Sequence, residues 1–153
     1  VSKVAAFIYS LQTEVGVIVP VLFRPWHEHT GSWFWWGEKL CTPEEYKALW
    51  HMTVDILRSD GVDNALYAYS PGSEPQDTAQ YLKRYPGDDL IDVIGFDTYQ
   101  FDRSSYQANV GKSLAIVDSI GRTHDKVIAI TEPGNKGNPD PKWKPQPKKP
   151  AKG

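Results

Sequence analysis

The chain of 153 residues has one cysteine and one methionine, and it lacks both a charge excess and a long apolar run. Each scarcity removes a class of protein. A lone Cys41 cannot form an internal disulfide framework, nor a structural zinc site by itself. The 17 Lys and Arg residues against 19 Asp and Glu give a net charge of −2, so no basic footprint for nucleic acid is present. No apolar stretch approaches the length of a membrane span, and the first residues lack the charged-then-apolar layout of a signal peptide. What the chain does have is aromatic surface: six Trp, eight Tyr and five Phe. Four of those tryptophans crowd into "RPWHEHTGSWFWWG", residues 24–37, around Glu28.

Hydrophobic patterning gives alternating strand and helix signals. "VSKVAAFIYSLQ" puts Val4, Ile8 and Leu11 on one helical face. "VGVIVPVLFRP" is a β-branched run without polar alternation, which predicts a strand buried on both faces. The stretch from Cys41 to Val62 opens with Thr42 as N-cap, Pro43 at the first helical position and Glu45 closing a capping box. Its predicted inward stripe is Tyr46, Leu49, Trp50, Thr53, Ile56 and Leu57, and Gly61 ends it. A second strand, "NALYAYSP", a short helix around Tyr81, and a third strand, "IDVIGFDTYQ", follow. Next come a helix with Tyr106, Val110, Leu114 and Val117 on one face and a fourth strand, "KVIAITEPG". Strand and helix in alternation with short links specify an α/β fold of parallel β/α repeats. From Lys144 onward four lysines, three prolines and no large apolar residue predict an extended, solvated tail over 144–153, leaving a folded domain at 1–143.

Chemistry on such a scaffold gathers at the carboxyl ends of the strands. Glu28 follows the first strand there and Glu132 the fourth, with Tyr69 and Ser70 at the end of the second, and Asp97 and Tyr99 at the end of the third. Two carboxylates facing across one rim are the minimum machinery for glycoside hydrolysis, and indole faces stack on sugars. In isolation a glutamate at a strand end is more often a loop acid or a cap, and tryptophans more often fill a core. At least one of Trp33, Phe34, Trp35 and Trp36 is expected to pack without touching ligand, and Trp50 on its helix stripe is expected in the core. Arg24 reads equally as a buried ion-pair partner, and Asp97 as a loop cap. His27 and His29 form an H-x-H pair able to hold a metal, but the remaining histidines, His51 and His124, fall on or beside helices, so no metal and no cofactor is expected.

"PVLFRPWHEHTGSWFWWG", then "YAYSPG", "YPGDD", "DVIGFDTYQ" and "ITEPG" in that order, closely resemble the glycoside hydrolase family 26 β-mannanases, from near residue 1 to about Trp143. The resemblance implies a (β/α)8 TIM barrel of which this chain carries the part matching strands four to seven, about half a barrel with four strands. It implies retaining hydrolysis of β-1,4-mannans, with Glu28 as general acid/base and Glu132 as nucleophile. His27 and Trp33 match residues lining the cleavage subsite, Asp97 a sugar contact, and Tyr99 the tyrosine that steadies the nucleophile. Arg24 and Trp36 join them as substrate-binding candidates. The implied partner is a mannan poly- or oligosaccharide, and the implied location is secreted, periplasmic or on the cell surface. A half-barrel would leave open edges that invite oligomerisation, and activity of such a fragment would be impaired. The alternatives are a family 26 β-glucanase or xylanase, and a non-catalytic carbohydrate-binding remnant.

One geometric condition decides between an enzyme and a relic. Strands three places apart lie roughly 14 Å apart in a flat sheet, whereas retaining chemistry needs carboxyl groups about 5 Å apart. For Glu28 to donate a proton near neutral pH it must titrate well above the usual carboxylate range, which the neighbouring Trp and Phe rings should favour, while Glu132 must stay ionised with help from Tyr99 and Arg24.

Overall fold

The computed structural model describes residues 1–100 and 103–135. The predicted tail at 144–153, and with it the domain limit near Trp143, lies outside the described residues. In chain order the elements among the described residues are α1 (Ser2–Tyr9), β1 (Val21–Phe23), α2 (Pro43–Ser59), β2 (Ala65–Tyr69), α3 (Thr78–Leu82), β3 (Val93–Gln100), α4 (Arg103–His124) and β4 (Val127–Asn135), with a 3-10 turn at Asp88–Leu90. The four strands lie side by side in the order β1-β2-β3-β4, every pair parallel. They form a half-barrel whose convex side is covered by the helices.

The core lies between that convex side and the helices. Trp50, Tyr46, Val54 and Leu57 from α2 meet Tyr67 and Tyr69 of β2, Ile94 and Phe96 of β3, and Val117 and Ile120 of α4. Trp50 is fully buried, as its stripe position predicts. The α2 stripe gains Val54, whereas Leu49 and Ile56 are only half-buried. On α4 the deepest face is Ser113, Ile116, Val117 and Ile120, one step round from the predicted Tyr106, Val110 and Leu114, which are half-buried. On α1 the inward pair is Ala5 and Ile8, with Val4 exposed and Leu11 beyond the helix end.

The predicted long first strand is corrected most. Only Val21–Phe23 is strand, and Val15, Val17, Ile18 and Val19 are exposed. The preceding segment turns back on itself, with Gln12 bridged antiparallel to Ile18. A doubly buried strand needs cover on both faces, and among the described residues the side of β1 that carries Leu22 is left open. On the concave side Leu22 and its register partner Leu66 are 55% and 52% exposed, while the adjoining Phe23 and Tyr67 meet edge to face on the covered side. Among the described residues no helix is long and apolar enough to cross a membrane.

The start of α2 shows local sequence fixing local structure. Thr42 accepts from Glu45 N at 3.3 Å, and Glu45 Oε2 accepts from Thr42 N at 2.8 Å, so both groups of the capping box are engaged. Thr42→Ala is expected to cost about 1 kcal/mol of stability, read as a shift of the urea midpoint at unchanged slope.

Candidate active site

The loop leaving β1 does not stay above its own strand. Glu28 N donates to Ser70 O at 2.8 Å, so the backbone at Glu28 docks on the end of β2. That crossing shortens the span to β4 by one strand step, to roughly 10 Å before curvature acts. It requires left-handed backbone at Trp26 (φ 56°) and at Glu28 itself (φ 51°), conformations that cost of order 1 kcal/mol or more each and concentrate at functional sites. The rest of the loop holds this geometry. Trp36 Nε1 donates to His27 O at 2.9 Å, Tyr46 Oη donates to Trp26 O at 2.8 Å, and Trp26 Nε1 donates to Thr53 Oγ1 at 3.1 Å.

At the other side of the rim a β-bulge does comparable work. Phe96 pairs with Ile130, but Asp97 pairs with Glu132, leaving Thr131 as an extra residue on β4. Strict alternation would send Thr131 and Glu132 to opposite faces; the inserted residue lets both reach the concave side. Gly95 makes room for this, since a Cβ there would lie 2.7 Å from Thr131 Cγ2. Gly134 does the same beside Tyr99, whose ring atoms would be 2.6 Å from an added Cβ.

The outcome is one cluster. Oxygens of Glu28, Asp97 and Glu132 all lie within 4.8 Å of one another. Arg24 forks between two of them, Nη1 donating to Asp97 Oδ2 at 2.8 Å and Nη2 donating to Glu132 Oε1. Tyr99 Oη donates to Glu132 Oε2, and His27 Nε2 lies 4.0 Å from Glu132 Oε1. Trp33 Nε1 donates to Glu28 Oε2 at 3.0 Å, with the indole 59% exposed. Asp97 is buried; Ser70 and Thr131 hydroxyls both reach its Oδ1.

The electrostatics separate the two glutamates. Burial raises the pKa of Glu28, with the negative charges of Asp97 and Glu132 adding to it. The direction is the one expected from the aromatic surroundings, and the Trp33 N–H, which stabilises the charged form, opposes the rise without reversing it. Burial also pushes Glu132 upward, yet the hydrogen bonds from Tyr99 and Arg24 outweigh it, and its pKa falls below the ordinary value. The same bond to Glu132 pushes the Tyr99 hydroxyl well above its usual range.

The structure thus brings together Arg24, His27, Glu28, Trp33, Asp97, Tyr99 and Glu132. Trp36 stands apart: its N–H is taken by the His27 carbonyl and its ring stacks on Phe34 at 4.3 Å and meets Trp26 and Trp35 edge-on, so it packs the loop. The H-x-H pair diverges. His29 is buried between Tyr46 and Tyr69, at 4.4 and 4.9 Å, and burial together with Arg84 drives its pKa well down, so it fills core while His27 faces Glu132. Arg24 joins the Asp97 and Glu132 carboxylates. Sequence reasoning placed Ser70 on the rim without a function and missed Thr131 and Gly134; the "ITEPG" motif contains the last two, but nothing local signals the bulge.

The sequence profile of glycosyl hydrolase family 26 matches residues 1–141. A mannan endo-1,4-beta-mannosidase of Bifidobacterium adolescentis is 42% identical over 130 residues, 80% of this chain and 13% of that protein. One of Bacillus subtilis is 33% identical over 143 residues, 87% of this chain and 34% of its own length. Among solved structures, a family 26 β-mannanase from Bacteroides ovatus superposes with a TM-score of 0.87 at 59% identity, covering 90% of this chain and 40% of that one. The chain therefore spans well under half the length of each of these relatives. With the profile matching nearly the whole sequence and the half-barrel superposing on a solved member, the chain belongs to glycosyl hydrolase family 26.

Proposed function

We propose that this chain carries the reacting carboxylates of a retaining β-1,4-mannan hydrolase, with Glu28 as general acid/base and Glu132 as nucleophile. The observation that carries the reading is the approach of their oxygens to within 4.8 Å, closer than the wider gap that inverting chemistry leaves for water, with opposite pKa shifts on the two groups. In the first step Glu132 attacks the anomeric carbon while the proton on Glu28 passes to the departing glycosidic oxygen. In the second, Glu28 takes a proton from water, whose oxygen displaces Glu132; two inversions leave the configuration retained. Arg24 and Tyr99 each bind a different oxygen of Glu132, fixing its plane while each oxygen keeps a lone pair for attack. The exposed face of Trp33 offers a stacking surface beside the proton donor, His27 and Arg24 are assigned to sugar binding or its support, buried Asp97 to holding Arg24, and Trp36 to packing the loop that carries Glu28. The substrate class favours action outside the cytoplasm.

The test is release of reducing sugar by the purified chain from galactomannan and glucomannan, with β-glucan and xylan in parallel to separate the family's other specificities. Release from mannans supports the reading. Mannan binding without release, unchanged in Glu132→Gln, supports a non-catalytic binding module instead. The exposed Leu22 and Leu66 on the concave face, and the sides of β1 and β4 that have no strand partner among the described residues, favour self-association, which sedimentation of the active fraction measures.

The pKa directions set the pH profile. Activity requires Glu132 ionised and Glu28 protonated, so kcat/KM falls as pH drops through the lowered pKa of Glu132 and falls again as pH rises through the raised pKa of Glu28. Trp33→Phe removes the N–H that favours charged Glu28, so the alkaline limb is expected to move to higher pH and the acid limb to stay in place.

A further inference from the structure

The hydroxyls of Ser70 and Thr131 take no part in the chemistry described above. Ser70 follows β2, Thr131 is the extra residue of the β4 bulge, and Asp97 stands between them on β3. Ser70 Oγ lies 2.8 Å and Thr131 Oγ1 2.6 Å from the same carboxylate oxygen, Asp97 Oδ1, and the two hydroxyl oxygens are 2.7 Å apart. The other oxygen, Oδ2, accepts from Arg24 Nη1 at 2.8 Å, and the same Nη1 is 3.2 Å from Ser70 Oγ. One buried carboxylate thus ties the ends of three strands to the guanidinium that grips Glu132.

Rigidity transmits this hold. A guanidinium is planar, so fixing Nη1 on Asp97 and Ser70 fixes where Nη2 meets Glu132 Oε1. An Arg24 held only by Glu132 would turn with it, and the nucleophile's plane would no longer be set by the scaffold. Resting on the catalytic reading above, we infer that Ser70 and Thr131 are positioning residues for the nucleophile, acting through Asp97 and Arg24.

The charges around Asp97 show why two hydroxyls are needed there. Burial raises its pKa, and the negative charge of Glu132 adds to that; Thr131, Ser70 and Arg24 oppose it. The groups around it are Arg24 and Glu28 from the loop after β1, Ser70 from the end of β2, Tyr81 from α3, Tyr99 on its own strand, and Thr131 and Glu132 from β4, with His27 beyond them against Glu132. Without the hydroxyls, the neutral form gains ground. A neutral Asp97 loses the charge-assisted bond to Arg24, and with it the fixed fork.

The test uses Ser70→Ala and Thr131→Val, the second nearly isosteric, with Thr131→Ser as the variant that keeps the hydroxyl. Carbon-13 NMR titration of the Asp97 carboxyl, assigned with Asp97→Asn, needs no turnover. Each lost hydroxyl is expected to move that titration upward by about one pH unit, and Thr131→Ser to leave it near the wild-type position. Alongside, the acid limb of kcat for mannan is expected to move upward in Thr131→Val, with KM unchanged and Thr131→Ser restoring the profile. An Asp97 titration that does not move in Thr131→Val overturns the inference, as does an acid limb superimposing on wild type in an active variant. Failure of the wild-type chain to cleave mannan strikes the catalytic reading, whereas the titration still decides whether the hydroxyls control Asp97. Should Ser70→Ala not fold, the two Thr131 variants carry the comparison alone.

Discussion

Glu132→Gln is expected to lower turnover of mannan by about 10⁴-fold while leaving oligosaccharide affinity within a few-fold of wild type. An amide is isosteric with the carboxylate but is a poor nucleophile, so the covalent step has no attacking atom. The local structure adds to the loss. Both oxygens of Glu132 accept from donors, Arg24 on one side and Tyr99 on the other. Glutamine presents one NH2 to that pair, so one donor must face another, and the side chain either flips or loses a partner. The exposed face of Trp33, the proposed stacking surface, and the fork from Arg24 to Asp97 are unaffected, so binding is expected to persist. Calorimetry with an oligomannoside and kcat on the same preparation separate the two effects. Residual turnover above about a tenth of wild type would place the nucleophile elsewhere.

How much of this was legible in the sequence varies by the range of the interaction involved. The capping box of α2, the burial of Trp50 and the alternation of strands with helices are local signals, and they appear where the residues put them. Glu28 and Glu132 were legible as candidates because acids at the carboxyl ends of parallel strands share one rim, and the motifs around them resemble those of a known family. The approach of the two carboxylates was legible only as a requirement. A flat sheet could not meet it; beyond the bend of the half-barrel, the structure adds two devices, the crossing of Glu28 onto Ser70 O and the Thr131 bulge. Neither has a local signature, because register and positive φ at a non-glycine residue are set by what packs around them. The misread run from Val15 to Phe23 fails for a related reason. Apolar β-branched residues predict a doubly buried strand only if other elements cover both faces, and the described residues give β1 one neighbour and an exposed Leu22. His29 was paired with His27 on spacing alone, and the left-handed backbone at Glu28 between them breaks any extended pattern, so one ring lies toward Glu132 and the other between Tyr46 and Tyr69.

Glu28→Ala has an expected effect that depends on the leaving group, which makes it the sharper probe of the proton donor. With mannan, where the departing sugar alkoxide is strongly basic, loss of the proton donor is expected to reduce kcat/KM by about 10³-fold. With a dinitrophenyl β-mannoside the departing phenolate needs no proton, so formation of the covalent intermediate should stay near the wild-type rate. Hydrolysis of that intermediate still needs Glu28 to take a proton from water, and the intermediate therefore accumulates as a burst of phenolate followed by a slow steady state. Azide, an anion that attacks without a base, is expected to restore the steady-state rate and to yield a β-mannosyl azide. The space left by the missing carboxylate suits it: Trp33 Nε1 keeps a free N–H where Glu28 Oε2 stood, and one of the negative charges that crowd Asp97 and Glu132 is gone. Equal losses on mannan and on the activated substrate, with no burst and no azide rescue, would mean that Glu28 supports the loop through its left-handed backbone and its bond to Trp33 and that the proton comes from another group.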